Sequence, residues 1–258
     1  MNLISLALKT KLRNREPLFA GWTNLGHPQV MEMLVRTGMD FMGIDIEHST
    51  ISQEQSQRII AACHASEVPC LPRVATHNPE AIKRLLDSGA DGVIVPNVET
   101  PDQVEKLIKW SKYPPLGKRG YGVARSQGYG HDFEEYTSQW NKSSILIIQI
   151  ESIYAVENIE KLLKFEEVDG IMVGPYDMSG SLGIPGKINH EKVQNAVTQV
   201  VETCKKFGKA CGTHEVNPTT ESVKALFNSG ISFVVLASDV FIFWKWSERM
   251  QKLISACR

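Results

Sequence analysis

Long apolar runs are missing from this sequence. Nothing approaches the roughly twenty consecutive apolar residues that span a bilayer, so no membrane-spanning helix is expected. An excess of charge is missing too: 28 Lys and Arg stand against 29 Asp and Glu, for a formal net charge of -1. Without a basic patch or run, nucleic acid is not an expected partner. The first residues, "MNLISLALKTKLRNREPLFAG", put a short apolar stretch ahead of the first positive charge. A secretory signal has the reverse order, so a cytoplasmic location is expected. Cysteine is sparse, and its five copies, Cys63, Cys70, Cys204, Cys211 and Cys257, include no CxxC spacing. Reduced, mostly buried thiols are expected rather than disulfides or a zinc site.

What is present is a repeating unit. The 258 residues are 42% hydrophobic and 22% charged, which suits a sizeable core and argues against disorder. Four segments share one pattern: "HPQVMEMLVRTG" (27–38), "NPEAIKRLLDSG" (78–89), "TPDQVEKLIKW" (100–110) and "NPTTESVKALFNSG" (217–230). Each opens with a polar residue and Pro, a favourable helix start, and continues with apolar residues at helical spacing. Three of the four close on Gly, a common helix stop.

Apolar strands alternate with these helices: 18–25, 41–47, 70–74, 92–98, 145–151, 170–174, 209–214 and 233–239, with further helices at about 52–66, 152–164, 189–207 and 240–256. Near-continuous hydrophobicity suits parallel strands covered on both faces. Strict alternation at this length predicts one α/β domain over 1–258, a (β/α)8 TIM barrel. A doubly wound sheet is the alternative, because local pattern does not show closure. Residues 111–143 form a long Gly- and aromatic-rich connection. Its Lys118, Arg119 and Arg125 face either an anionic substrate or solvent and a neighbouring subunit.

In such a barrel the strand C-termini converge on one mouth where chemistry sits. There the second strand delivers Asp45, Glu47 and His48, the third Arg73, the fifth Gln149 and Glu151, and the sixth Gly174, Pro175 and Asp177. Buried acids need compensation. A divalent cation between Glu151 and Asp177 would supply it, and an all-oxygen donor set favours Mg2+ or Mn2+. The competing reading makes both acids helix caps. Asp45 and Glu47, two apart, point the same way and suit the water around such an ion. His48 is either a tuned base or a surface residue. Asp87, late in its helix, opposes the helix dipole. Orienting His48 would explain that placement, and so would chance. Arg73 either stabilises an oxyanion or forms a structural ion pair with Asp45 or Glu47. Of the remaining histidines only His214, ending the seventh strand, reaches the mouth, and sequence alone assigns it no task. No lysine occupies an evident mouth position, which disfavours a Schiff base.

The motifs "GIDIEHS", "CLPRV", "GADGVIVPNVET", "YPPLGKRGYG", "IIQIES" and "VDGIMVGPYDMSGSLGIPG", in this order, resemble the HpcH/HpaI aldolase/citrate lyase family over about residues 17–240. The metal-dependent class II 2-oxo acid aldolases are the branch most similar. The resemblance implies a (β/α)8 barrel, commonly a hexamer with an exchanged C-terminal helix. It implies reversible cleavage of a 4-hydroxy-2-oxo acid to pyruvate, or a close 2-oxo acid, and an aldehyde. By the same resemblance Glu151 and Asp177 hold a divalent ion (Mg2+, Mn2+ or Co2+), with no organic cofactor. His48 is the base, Asp87 its partner and Arg73 the group at the 2-oxo oxygen. Gln149 lines the pocket, and the Gly174–Asp177 turn, with Pro175 and Tyr176, offers backbone N–H groups to the pyruvate carboxylate. Tyr176 is bulky where the family often carries a small residue. Two other enzymes keep the same enolate site: a lyase acting on an acyl-CoA thioester and an oxo-diacid decarboxylase. A non-catalytic oxo-acid-binding barrel is the reading from another class.

Overall fold

The computed structural model describes residues 2–258. Eight strands, β1 (Leu18–Thr23), β2 (Phe41–Asp45), β3 (Cys70–Arg73), β4 (Gly92–Val95), β5 (Ile145–Ile150), β6 (Gly170–Val173), β7 (Ala210–Glu215) and β8 (Phe233–Leu236), pair in parallel in chain order, and β8 closes onto β1. The sheet is therefore a closed barrel and not doubly wound. Around it run α2 (Pro28–Leu34), α3 (Gln53–Ala65), α4 (Pro79–Asp87), α5 (Pro101–Ser111), α7 (Ile153–Leu162), α9 (Glu191–Lys206), α10 (Thr220–Asn228) and α11 (Asp239–Cys257). Three more helices lie outside the repeat: α1 (Asn2–Arg13), α6 (Phe133–Ser143) and α8 (Pro175–Ser181). None of the described helices is long and apolar enough to cross a membrane.

Pro opens α2, α4 and α5 as the pattern predicts, behind the caps His27, Asn78 and Thr100. The fourth segment differs. Thr219 caps α10 by accepting from Ser222 N, so Pro218 lies ahead of the helix. A reciprocal Thr–Ser cap satisfies two free backbone donors, which Pro cannot do. Most strands also stop earlier than their apolar runs suggest, β7, which runs to Glu215, being an exception. Glu47, Val98, Glu151 and Asp239 all lie beyond the hydrogen-bonded ladder, where the chain turns toward its next helix.

Two apolar cores result. One lies between strands and helices, and the other fills the barrel from alternate strand positions, including Leu18, Ala20, Trp22, Phe41, Leu71, Ile94, Ile147, Met172, Phe233 and Val235. Glycines make the inner packing possible at two points. A Cβ on Gly43 would sit 2.1 Å from the Trp22 ring, and one on Gly212 would sit 2.0 Å from Phe233.

The inner core also includes Leu8 and Leu12 of α1, which closes the N-terminal end of the barrel. Each buried leucine is worth about 1.5–3 kcal/mol. Polar contacts fix the helix there: Ser5 Oγ donates to Asp91, and Lys9 Nζ reaches Ser144 O at 2.6 Å and Asp169 at 3.2 Å. Lys112, 1% exposed, donates to the same Ser144 carbonyl at 2.9 Å and to its hydroxyl at 2.6 Å. Two amines on one buried carbonyl compete for a proton. Burial, reinforced by Lys9, pushes Lys112 down to about 7.

The sign of the resulting pH dependence follows. From about pH 7 to the ordinary lysine value the unfolded chain holds a proton that the folded chain has released, so stability rises with pH through that window. Lys112→Met should flatten the rise, removing up to about 1.4 kcal/mol per pH unit. Denaturant unfolding of both proteins between pH 7 and 9.5 checks this, and identical slopes would count against a neutral Lys112.

Candidate active site

The alternation that fills the barrel also aims its polar residues. Leu71 faces inward on β3, so Arg73, two residues on, faces inward one layer higher at the C-terminal mouth; Ile147 and Gln149 repeat the relation on β5. Trp22, Asn24, Asp45, His48, Arg73, Gln149, Glu151, Gly174–Asp177 and His214 all line one cavity of about 760 Å³ at this end.

Arg73 is its centre. Its Nη2 donates to Asp45 Oδ2 at 2.7 Å and its Nε to Oδ1 at 3.2 Å, a two-pronged fork. Nη1 reaches Gln149 Oε1 at 3.4 Å and lies 3.2 Å from Glu47 Oε2. The guanidinium sits over the Trp22 ring, 5.3 Å from its centroid. Asp45 also accepts from Asn24 Nδ2 (2.8 Å) and from the backbone N–H of Glu47 and His48. Burial disfavours its charge, but Arg73 and these donors hold the carboxyl below its usual range. The ion pair that is the alternative reading of Arg73 is formed, and the same arginine lines the cavity.

The other acids lack such compensation. Glu151, buried, accepts from Gln149 Nε2 at 2.8 Å and from Asn97 N at 2.9 Å. Burial, helped by the charges of Asp177 and Glu47, pushes it up to about 7. Glu47 is raised as well, chiefly by burial and against the pull of Arg73. Its Oε2 is buried without a well-formed hydrogen bond. Asp177 is exposed to the cavity and has no hydrogen bond or ion pair among the described residues. Neither Glu151 nor Asp177 is a helix cap: Ser152 caps α7, and Gly174 stands at the start of α8. A Cβ on Gly174 would meet Glu151 Oε1 at 2.9 Å, so the glycine leaves room for that carboxylate.

Glu47, Glu151 and Asp177 repel one another, and Glu151 and Asp177 line the cavity. Among the described residues no group of three or more His, Cys, Asp or Glu side chains is placed to hold a metal ion by itself. A two-carboxylate oxygen set fits a hard ion that keeps much of its shell for water or substrate.

The Gly174–Asp177 turn differs from expectation in detail. Gly174 N–H donates to Ile150 O at 3.1 Å, and Pro175 has no N–H. Tyr176 and Asp177 supply the first-turn amides that have no acceptor within the helix. His48 is largely exposed, with Glu47 Oε2 3.7 Å from its Nε2. Asp87 is not in the cavity. It pairs with Arg119 at 2.8 Å, so the expected Asp87–His48 pair is not formed within this chain. Arg119 itself is buried among Tyr113, Tyr136 and Trp140. Arg125 bonds Ser88 O at 3.0 Å, and none of Lys118, Arg119 and Arg125 lines the cavity. The 111–143 connection is instead ordered around Arg119 and α6.

Sequence reasoning missed several contributors. Trp22 and Asn24 brace Asp45 from a strand with no charged residue to draw attention. Asn97 holds a left-handed φ of 51° that turns its N–H onto Glu151; Asn after a strand-ending Pro was the available signal. Phe241, Trp244 and Lys245 arrive from α11, which no local pattern directs to the mouth. Lys245 corrects the expectation of a lysine-free mouth. It is half exposed and paired with Glu248 at 3.2 Å, unlike the desolvated amine that Schiff-base chemistry requires.

Comparison with known proteins agrees with this geometry. A hydroxypyruvate/pyruvate aldolase of Paraburkholderia phytofirmans is 33% identical over 247 residues, covering 93% of this chain and 94% of the relative. A 2-keto-3-deoxy-L-rhamnonate aldolase of Salmonella typhi is 32% identical, covering 93% of this chain and 90% of the relative. The crystal structure of an HpcH/HpaI aldolase/citrate lyase family protein from Burkholderia cenocepacia superposes with a TM-score of 0.89 at 29% identity, covering 96% of this chain and 99% of that one. Residues 19–245 match the family described as HpcH/HpaI aldolase/citrate lyase. The closed barrel, its acid-lined mouth and these matches lead to one conclusion: the chain belongs to the HpcH/HpaI aldolase/citrate lyase family.

Proposed function

We propose that this protein is a metal-dependent aldolase, a carbon–carbon lyase that reversibly cleaves a 4-hydroxy-2-oxo acid to pyruvate, or a close 2-oxo acid, and an aldehyde. One observation carries the reading: acids short of countercharge share a cavity with an arginine locked in place by Asp45. The aldolase names of two relatives support it.

In this reading Glu151 and Asp177 hold the ion, Mg2+ or Mn2+ with Co2+ as a further candidate. When bound, such an ion supplies Lewis-acid charge beside the 2-oxo group. The substrate carboxylate lies against the Tyr176 and Asp177 amides, with Pro175 fixing the turn. Arg73 donates to the 2-oxo oxygen as negative charge grows there, and its fork to Asp45 spares it reorganisation. Gln149 links Arg73 to Glu151. His48 accepts the proton of the 4-hydroxyl while the C3–C4 electron pair passes to C3. The aldehyde departs, and protonation at C3 gives the 2-oxo acid. Asp45 and Glu47 stand behind this set and orient Arg73 and the surrounding water. A cytoplasmic location belongs to the same reading.

We also propose a homohexamer with α11 exchanged between subunits. The support is the apolar surface of α11: Val240, Ile242, Phe243, Trp244, Trp246, Leu253 and Ile254 are all exposed in the single chain. Monomers rarely leave so much contiguous apolar surface uncovered.

Three measurements test these proposals. Glu151→Gln and Asp177→Asn should each remove calorimetrically detectable Mn2+ binding while leaving the circular dichroism unchanged. In the wild type, Mn2+ affinity should fall as pH drops below about 7, by up to tenfold per unit, because the Glu151 proton must leave before the ion binds. Unaltered affinity in both variants would remove the assignment. Arg73→Ala should lower pyruvate release by about two to three orders of magnitude with Mn2+ still bound. Wild-type turnover in that variant would exclude an oxyanion role. Phe243→Asp with Trp246→Asp should reduce the mass seen by light scattering to that of a smaller species, and an unchanged mass would refute assembly through α11.

A further inference from the structure

His214 lines the cavity, yet the aldolase reading leaves it without a task. Its position is built with care. The ring Nε2 lies 3.0 Å from Ala237 O, and a carbonyl only accepts, so Nε2 carries the proton. Ala237 holds a left-handed φ of 55°, which an L-residue disfavours, with its N–H on Glu215 O at 2.8 Å. The β8 end thus turns its carbonyl to the imidazole. The ring is flanked by Trp22 and Phe241, each with its centroid 5.9 Å away, Phe241 at 89°.

This arrangement leaves one nitrogen unengaged. Nδ1 has no hydrogen-bond partner among the described residues, and in the Nε2–H tautomer it is a pure acceptor. Burial, with Arg73 adding to it, pushes His214 down to about 4, so the ring stays neutral and the acceptor persists through the physiological range. Arg73 lies over the opposite neighbour of the ring, Trp22, which sets His214 beside the reacting centre but outside the Arg73–Glu151 set. The cavity, at about 760 Å³, is within the range that holds ligands of drug size, far more than a three-carbon acid fills.

We infer that His214 selects the aldehyde partner: Nδ1 accepts a hydrogen bond from a hydroxyl carried by that partner, so the site takes hydroxyaldehydes in preference to alkyl aldehydes of the same length. The inference rests on the aldolase reading. The Trp22 and Phe241 rings that flank the imidazole offer a hydroxyl no acceptor of their own, so a hydroxyl placed against this part of the wall pairs with Nδ1. An alkyl chain in the same place would leave Nδ1 dry and unpaired.

The test is aldol addition of pyruvate, with Mn2+, to glyceraldehyde and to propanal, compared as a ratio of kcat/KM values. Intrinsic reactivity of the two aldehydes cancels when the ratio is compared across variants. His214→Leu and His214→Phe should each lower the glyceraldehyde-to-propanal ratio by roughly tenfold, the weight of one hydrogen bond. His214→Gln, which keeps a donor for Ala237 O and an acceptor on one side chain, should stay within about threefold of the wild type. A ratio unchanged in either folded apolar variant overturns the inference, and so does a Gln variant that behaves like Leu. Deuterium exchange at C3 of pyruvate by the wild-type protein separates the two claims. Absence of exchange defeats the aldolase reading and this inference with it, whereas exchange with an unmoved ratio defeats only the role of His214.

Discussion

Asp45 accepts hydrogen bonds from Arg73, Asn24, Trp22 and the backbone of Glu47 and His48, donors drawn from the ends of β1, β2 and β3. Removing one partner from a buried ion pair typically costs about 3–5 kcal/mol, because the other charge is left dry. Here the loss would also free the guanidinium from the Trp22 face and from Gln149, and through Gln149 would loosen Glu151. Asn24, Trp22, Gln149 and, through Gln149, Glu151 are all tied to that fork. The fork is also why the Asp45 carboxyl is held below its usual range while those of Glu47 and Glu151 are raised by burial.

The two ends of the barrel divide stability from chemistry. At the N-terminal end α1 inserts leucines into the inner core and ties Asp91, Asp169 and Ser144 with amines and hydroxyls. The titrating lysine at that end, Lys112, is a cost of closure. At the other end the strands stop short, so that Glu47, Asn97 and Glu151 leave the ladder and turn inward or toward one another. Left-handed backbone at Asn97 and Ala237 belongs to this end and places an N–H on Glu151 and a carbonyl on His214.

Period-two alternation made much of this legible. Once 70–74 and 145–151 read as strands, Arg73 and Gln149 had to share a side with Leu71 and Ile147, and closure brought them together. Helix starts were legible for the same local reason, through Pro and a polar cap. What remained hidden depends on distant residues. The acid Asp87 looked like a partner for His48, but a buried arginine from the next connection claims it. The 111–143 stretch concealed α6, although Tyr136 and Trp140 lie four apart on its buried face, where they pack on Arg119. The N-terminal helix α1, which closes the barrel, was not read from the sequence at all. His214 was one histidine among seven until the Ala237 carbonyl fixed its tautomer.

The charge balance of the mouth bears on the order of events there. Asp45, Glu151, Asp177 and Glu215 line the mouth, with Glu47 beside Arg73, whose charge is largely spent on Asp45; the other cation there, Lys245, is paired with Glu248. An anionic 2-oxo acid entering that field meets repulsion from Glu47, Glu151 and Asp177 at short range, where screening by salt is weak. Protonating Glu151 relieves only part of it and removes a donor oxygen. A divalent ion held by Glu151 and Asp177, as proposed, would offset this repulsion and would attract the substrate carboxylate as well. The neutral His214 adds nothing to this balance, which is the property a selector of the uncharged aldehyde half requires: it reads hydroxyls without disturbing the field that the oxo-acid half depends on.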